Sequence, residues 1–109
     1  MPNDSVDVLI HNDLSTTPEP VPLGPKNGNK VQINWINDAG FDVKVTIDRE
    51  TTGSPGDPKS PFPSDEFTVH AGLSEPSGKI KENNKKHQEY EYSLHAATGT
   101  NDPRIIIDR

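Results

Sequence analysis

Four histidines, His11, His70, His87 and His95, and a scatter of carboxylates are the residues of this chain with chemistry to offer. Imidazole binds transition metals and exchanges protons near neutral pH. The spacing builds no local site from it. There is no HExxH, and the absence of cysteine excludes thiolate nucleophiles, disulfides, iron–sulfur clusters and Cys-zinc sites. His70 and His95 each fall on the polar phase of an alternating run, where an exposed imidazole is the ordinary outcome. Asp48, Glu50, Asp57, Asp65 and Glu66 surround one proline-rich stretch and are hard oxygen donors of the kind calcium takes. Their order matches no calcium loop, so solvated charge is expected. Glu89 and Glu91 would share a strand face, where like-charge repulsion can raise a carboxyl pKa, and the expectation is that this is the wet side. No serine stands in GxSxG, and no glycine pattern suits a phosphate loop or a dinucleotide fold. No catalytic, cofactor-binding or metal residue is therefore assigned, no cofactor is expected, and the chain is read as not an enzyme.

Charge narrows the partners. A formal net charge of −6 argues against a nucleic-acid binder, which needs a basic stripe to displace counterions from phosphates. Lys79, Lys81, Lys85 and Lys86 form a local basic cluster, but Glu75, Glu82, Glu89 and Glu91 are interspersed with it, as in a solvated turn. No apolar run approaches the ~18 residues a membrane span needs, so no span is expected. The first residues have neither the basic start nor the apolar middle of a leader. As written the chain reads as cytoplasmic, or as a mature secreted domain whose leader was replaced by Met1. What remains is an unknown protein or small-ligand partner.

The elements that would position these residues are strands. In residues 31–48, Val31, Ile33 and Trp35 alternate with polar residues, and after Asn37-Asp38-Ala39-Gly40 the apolar set resumes as Phe41, Val43, Val45 and Ile47. Period 2 means one buried face per strand, and the Asn/Asp/Gly gap predicts a tight hairpin turn. Trp35, the only tryptophan, is expected at the centre of the core. Residues 6–11 read as a strand expected to pair with the C-terminus. Residues 15–29, with prolines at every second position from 18 to 22, read as an extended crossover and not sheet interior. A PEPVP segment could dock on a proline-reading module, but a linker is the simpler reading.

Residues 51–66 form a long proline-rich loop whose one large apolar residue, Phe62, is expected to plug the core and otherwise to be a contact residue. Phe67, Val69 and Ala71 give a further strand, as do Tyr90, Tyr92 and Leu94. Residues 98–103 read as a turn. Ile105, Ile106 and Ile107 predict a terminal strand inside a sheet, buried on both faces. With 28% apolar residues, 11 prolines and 8 glycines, and no helical period, the 109 residues read as one domain. The predicted fold is all-β, an antiparallel or mixed Greek-key β-sandwich of about seven strands.

The order of features resembles the cupredoxin-like fold over roughly residues 30–108. It runs through a strand ending in Trp-x-Asn (Trp35, Asn37), a strand of alternating valines, Phe-x-Val-x-Ala-Gly (Phe67 to Gly72), Tyr-x-Tyr (Tyr90, Tyr92) and a terminal isoleucine-rich strand. The family's copper site uses two histidines and a cysteine, usually with an axial methionine. Here Gly40-Phe41-Asp42 stands where the first histidine would be, Ser93-Leu94-His95-Ala96-Ala97 stands where Cys-x-x-His would be, and Met1 is the only methionine. A blue-copper centre requires a thiolate. The resemblance therefore implies the sandwich without its electron-transfer site, a non-catalytic binding or structural module. The alternatives are a metal-binding protein or enzyme whose histidines and carboxylates converge only in the fold, and a sheet whose open edge accepts a strand from another chain.

Overall fold

In a computed structural model that describes residues 4–53, 56, 59–82 and 84–109, the alternating runs become strands. In chain order these are β1 (Ser5–Ile10), β2 (Thr16–Thr17), β3 (Val21–Leu23), a 3-10 turn (Pro25–Asn27), β4 (Gln32–Asn37), β5 (Val43–Glu50), β6 (Glu66–Val69), β7 (Ser74–Pro76), β8 (His87–Ala96), β9 (Gly99–Asn101) and β10 (Arg104–Asp108). They form two mixed sheets, a smaller one in the order β2-β1-β4-β7 and a larger one in the order β3-β10-β8-β5-β6, with β9 beside the end of β8. The pairs β1/β4 and β3/β10 are parallel and the rest antiparallel. The all-β expectation holds, with ten strands among the described residues instead of seven. Four of the ten, β2, β3, β7 and β9, lie outside the six alternating runs and are only two or three residues long, too short for an alternating pattern to register.

Each sheet turns its apolar phase inward. Val8, Ile10, Ile33 and Trp35 come from the smaller sheet, and Val43, Val45, Ile47, Tyr92, Leu94, Ile105 and Ile107 from the larger, all at most 1% exposed. Trp35 lies 5.2 Å from Tyr92 and 6.1 Å from Phe67 between ring centroids, with Phe62 edge-on to Phe67 at 6.1 Å. The core is assembled over Trp35 as predicted, and Phe62, 1% exposed, is a plug and not a contact residue. Ser60 fixes the plug by accepting the Phe62 N–H at 3.1 Å and donating to the Ser64 carbonyl at 2.8 Å.

The predicted hairpin is instead an arch. β4 and β5 belong to different sheets, so residues 38–42 carry the chain across the sandwich and do not join paired neighbours. Period 2 cannot distinguish the two, because an inward face is needed in either case. Asn37 is what settles the arch. Buried to 2% exposure, its amide donates to the carbonyls of Phe41 at 2.7 Å and Val69 at 2.8 Å and accepts the Ala39 N–H at 2.9 Å. A side chain that satisfies backbone groups of the crossing and of β6 holds both sheets at one corner.

Three further expectations change. β1 pairs with β2 and β4 and not with the C-terminus, since its parallel partner is supplied by the arch strand. The proline-rich stretch does cross between sheets, but it leaves the smaller one as β2 and joins the edge of the larger one as β3, where Pro22 is tolerated because only one side of an edge strand is paired. Residues 99–101, expected within a turn, pair as β9. β10 lies between β3 and β8, inside the sheet as predicted. Only Ile105 and Ile107 are sealed, while Ile106, on the outer face, is half-buried.

Candidate functional site

β8 runs up the middle of the larger sheet, and two irregularities beside it aim side chains at one point. β5 stays in step with it from Lys44 opposite His95 to Ile47 opposite Tyr92, then slips, so that Arg49 faces Glu91 and Glu50 faces Tyr90. The bulge leaves Asp48 as the extra residue and reverses the facing beyond it. On the other flank β9 ends at Asn101 and β10 begins at Arg104, and Asp102 occupies the break, where the Tyr92 N–H reaches the Pro103 carbonyl at 3.1 Å. Both carboxylates thus come level with Ser93. Its hydroxyl is hydrogen-bonded to Asp48 Oδ2 and lies 2.8 Å from Asp102 Oδ1. Thr46 Oγ1 continues the row, 3.2 Å from Asp48 Oδ1 and 3.1 Å from His95 Nε2.

The chemistry open to this row is polar recognition. Ser93 has one proton and two carboxylate neighbours, so it can donate to only one of them at a time, and it is itself buried beneath them. The imidazole of His95 reaches Thr46 and not Ser93, so the nucleophile–base contact of a serine hydrolase is not made. Asp48 lines a shallow depression of about 400 Å³ with Thr46, Lys59 and Asp65, and Asp102 lines another of about 290 Å³ with Thr16, Glu19 and Asn101. Asp102 escaped sequence reading, because nothing in Thr-Gly-Thr-Asn-Asp-Pro distinguishes a break between strands from an ordinary turn.

Of the carboxylates considered for calcium, Asp48, Asp65 and Glu66 line one depression together with Lys59, but among the described residues they do not come together as a metal site. Asp48 faces Ser93, Asp65 pairs with Lys59 at 3.3 Å, Glu66 pairs with Lys44 at 2.8 Å, and Asp57 lies outside the described residues, as do Pro55 and Pro58. Glu50 has gone to the interior, with its side chain 3% exposed. Lys85 Nζ and Thr52 Oγ1 reach its Oε2 at 3.2 and 3.0 Å, and Gln88 Nε2 and the Tyr90 hydroxyl reach its Oε1 at 3.2 and 3.4 Å. Arg109 extends this polar cluster through Gln88 Oε1 and the carbonyls of Lys85 and Lys81. Lys79 lies 3.9 Å from Asp4. The basic cluster is therefore partly structural, Lys85 being tied to a buried acid.

The histidines are dispersed. His11 contacts Thr17 at 2.8 Å, and His70 Nδ1 lies 3.2 Å from Asp42, whose other oxygen accepts the Ala71 N–H at 3.0 Å. Those contacts, the Ala71 N–H first and His70 second, hold the Asp42 carboxyl below its ordinary value. His87 lies between Glu89 and Asp108, and His95 on Thr46. Glu89 and Glu91 are on the outer face as expected, with Arg104 4.0 Å from Glu89 and Arg49 3.4 Å from Glu91. Among the described residues no three His, Asp or Glu side chains stand together as a metal site. Burial pushes the Tyr92 phenol up, despite its hydrogen bond to Thr16 at 3.3 Å.

The sheet edges are blunt. β2 has two residues, β3 contains Pro22 and β7 ends in Pro76. β6 is folded over at its start by Ser64, whose hydroxyl accepts the Glu66 N–H at 3.2 Å and donates to the Glu66 carbonyl at 3.0 Å. Short, proline-bearing or capped edges are how sheets avoid recruiting another strand. No described helix is long and apolar enough to cross a membrane. The chain matches no family model, and no curated protein or solved structure matches it.

Proposed function

We propose that the chain is a non-catalytic β-sandwich module, cupredoxin-like in its order of strands and without blue-copper chemistry, that serves as a binding or structural domain. The likeness gains support from where its features fall. Trp35 and Asn37 end β4, Phe67 and Val69 lie in β6, Tyr90 and Tyr92 in β8 and the isoleucines in β10, within two mixed sheets. The observation that carries the functional reading is the dispersal of the imidazoles, each engaged with its own local oxygen partner in a different part of the fold. Binding then belongs to the polar outer face of the larger sheet, at the exposed Asp48 and Asp102 on either side of the buried Ser93, because the edges are blunted against strand addition.

Titration with Cu(II) at neutral pH tests this. The expected result is weak uptake, no intense visible charge-transfer band, and indifference to His70→Ala and His95→Ala, since isolated imidazoles still bind Cu(II) loosely. Tight stoichiometric binding abolished by either substitution would overturn it. The rival reading, a metal-binding protein or enzyme whose histidines and carboxylates converge in the fold, has the Asp48–Ser93–Asp102 row on its side. Saturable calcium binding lost in Asp102→Ala would promote that rival, because hard oxygens suit calcium.

A further inference from the structure

We infer that His87 is a pH-sensitive clasp that ties the start of β8 to the end of β10 through Asp108, with Glu89 of its own strand bonded to the other side of the ring. His87 and Asp108 are register partners across the β8/β10 ladder. The ring is held on both sides, with Nδ1 2.6 Å from Asp108 Oδ1 and Nε2 2.8 Å from Glu89 Oε2. A neutral imidazole has one N–H and one lone pair, so it can satisfy only one of these carboxylates and turns its lone pair towards the other. Only the imidazolium donates to both. The geometry therefore selects the charged form, and the bonds to Glu89 and then Asp108 accordingly raise the His87 pKa above its ordinary 6.5.

What the clasp holds is the end of the chain's last strand. One residue beyond Asp108, the Arg109 N–H donates to the Lys86 carbonyl at 2.7 Å, and its guanidinium enters the polar cluster of Gln88 and Glu50. The clasp and this cluster lie on opposite faces of the same two strand ends. The charged groups around the ring are few. β8 contributes Glu89, and β10 contributes Asp108, with Arg104 set back 4.0 Å behind Glu89. The segment packed against the far side of β10 carries Lys26 and Lys30, and the one preceding β8 carries Lys81, the exposed Glu82, Lys85, turned inward to Glu50, and Lys86. Glu82 is the one further acid among these groups, and the bonds to the ring come from Glu89 and Asp108.

The sign follows from the raised pKa. The clasp is complete below the ordinary imidazole value and loses one of its two bonds as pH rises through the raised folded value. The predicted device is a strand end secured in mildly acidic to neutral solution and loosened in alkaline solution.

The test is NMR on the intact chain from pH 5 to 9. It follows the His87 ring proton, assigned by its absence in His87→Gln, and the exchange protection of the Arg109 amide corrected for the intrinsic rate. His87 is expected to titrate above the ordinary imidazole value in the wild type and lower in Asp108→Asn. Arg109 protection should fall about two- to fivefold as pH passes the His87 midpoint, the scale of an exposed ion pair, and should be flat over that range in His87→Gln. A wild-type His87 that titrates at or below the ordinary value, or Arg109 protection unchanged through the midpoint, would overturn the inference. Either variant is expected to fold, since the ring is 48% exposed.

Discussion

Trp35 shows how one side chain can be both the firmest anchor of a fold and an imperfect one. Its ring meets Tyr92 and Phe67 with no exposure, while its Nε1–H has no hydrogen-bond partner among the described residues. An unpaired buried donor is costly, so the packing of an indole that covers some 150–250 Å² must outweigh it. Trp35→Ala is expected to lower stability by about 3–5 kcal/mol, measured by denaturant unfolding, through lost transfer energy and a cavity. An unchanged denaturant midpoint would contradict that core. The position was legible in the sequence because tryptophan is rare and large and stood on the apolar phase of a strand. Its unpaired N–H was not, since satisfaction depends on what the opposite sheet offers.

At the scale of the element, the β5 bulge decides which of two adjacent charged residues is structural. Straight alternation from Val43, Val45 and Ile47 would bury Arg49 and leave Glu50 outside. The slip after Ile47 keeps Arg49 out beside Glu91 and turns Glu50 in among Lys85, Gln88 and Tyr90. Glu50→Ala should therefore destabilise by about 1–3 kcal/mol, the cost of leaving buried donors unsatisfied. Arg49→Ala should change stability by under about 0.5 kcal/mol, as an exposed pair usually does. Unfolding curves on the two variants check the bulge directly, because an unbulged strand would reverse their order. Three consecutive charges, Asp48, Arg49 and Glu50, concealed the change of phase. Periodicity is read from the contrast between polar and apolar residues, and that contrast ends at Ile47.

At the scale of the molecule, distant segments of sequence do most of the pairing. β1 lies against β4, β4 against β7, β5 against β8 and β3 against β10, so loop-closure entropy precedes most of the stabilising contacts. Refolding followed by Trp35 fluorescence is expected in the millisecond-to-second range typical of β-sandwiches. Completion within microseconds would show that local contacts dominate the barrier.

The sequence by itself determined the all-β class, the buried positions of Trp35 and the valines of β5, and the absence of a thiolate, whereas for Phe62 it allowed both a core plug and a contact residue until the structure buried it. Each follows from a local property: side-chain period, residue size or residue chemistry. The tertiary structure decided that the segment after Asn37 is an arch and not a hairpin, and that β1 meets β4. It also decided that Asp48 and Asp102 converge on Ser93 from opposite flanks of β8. Those outcomes depend on which strand lies beside which and on single-residue slips in register. A period-2 pattern specifies only which side of a strand is buried, and so is unchanged when the neighbouring strand is exchanged for another with an apolar face of its own.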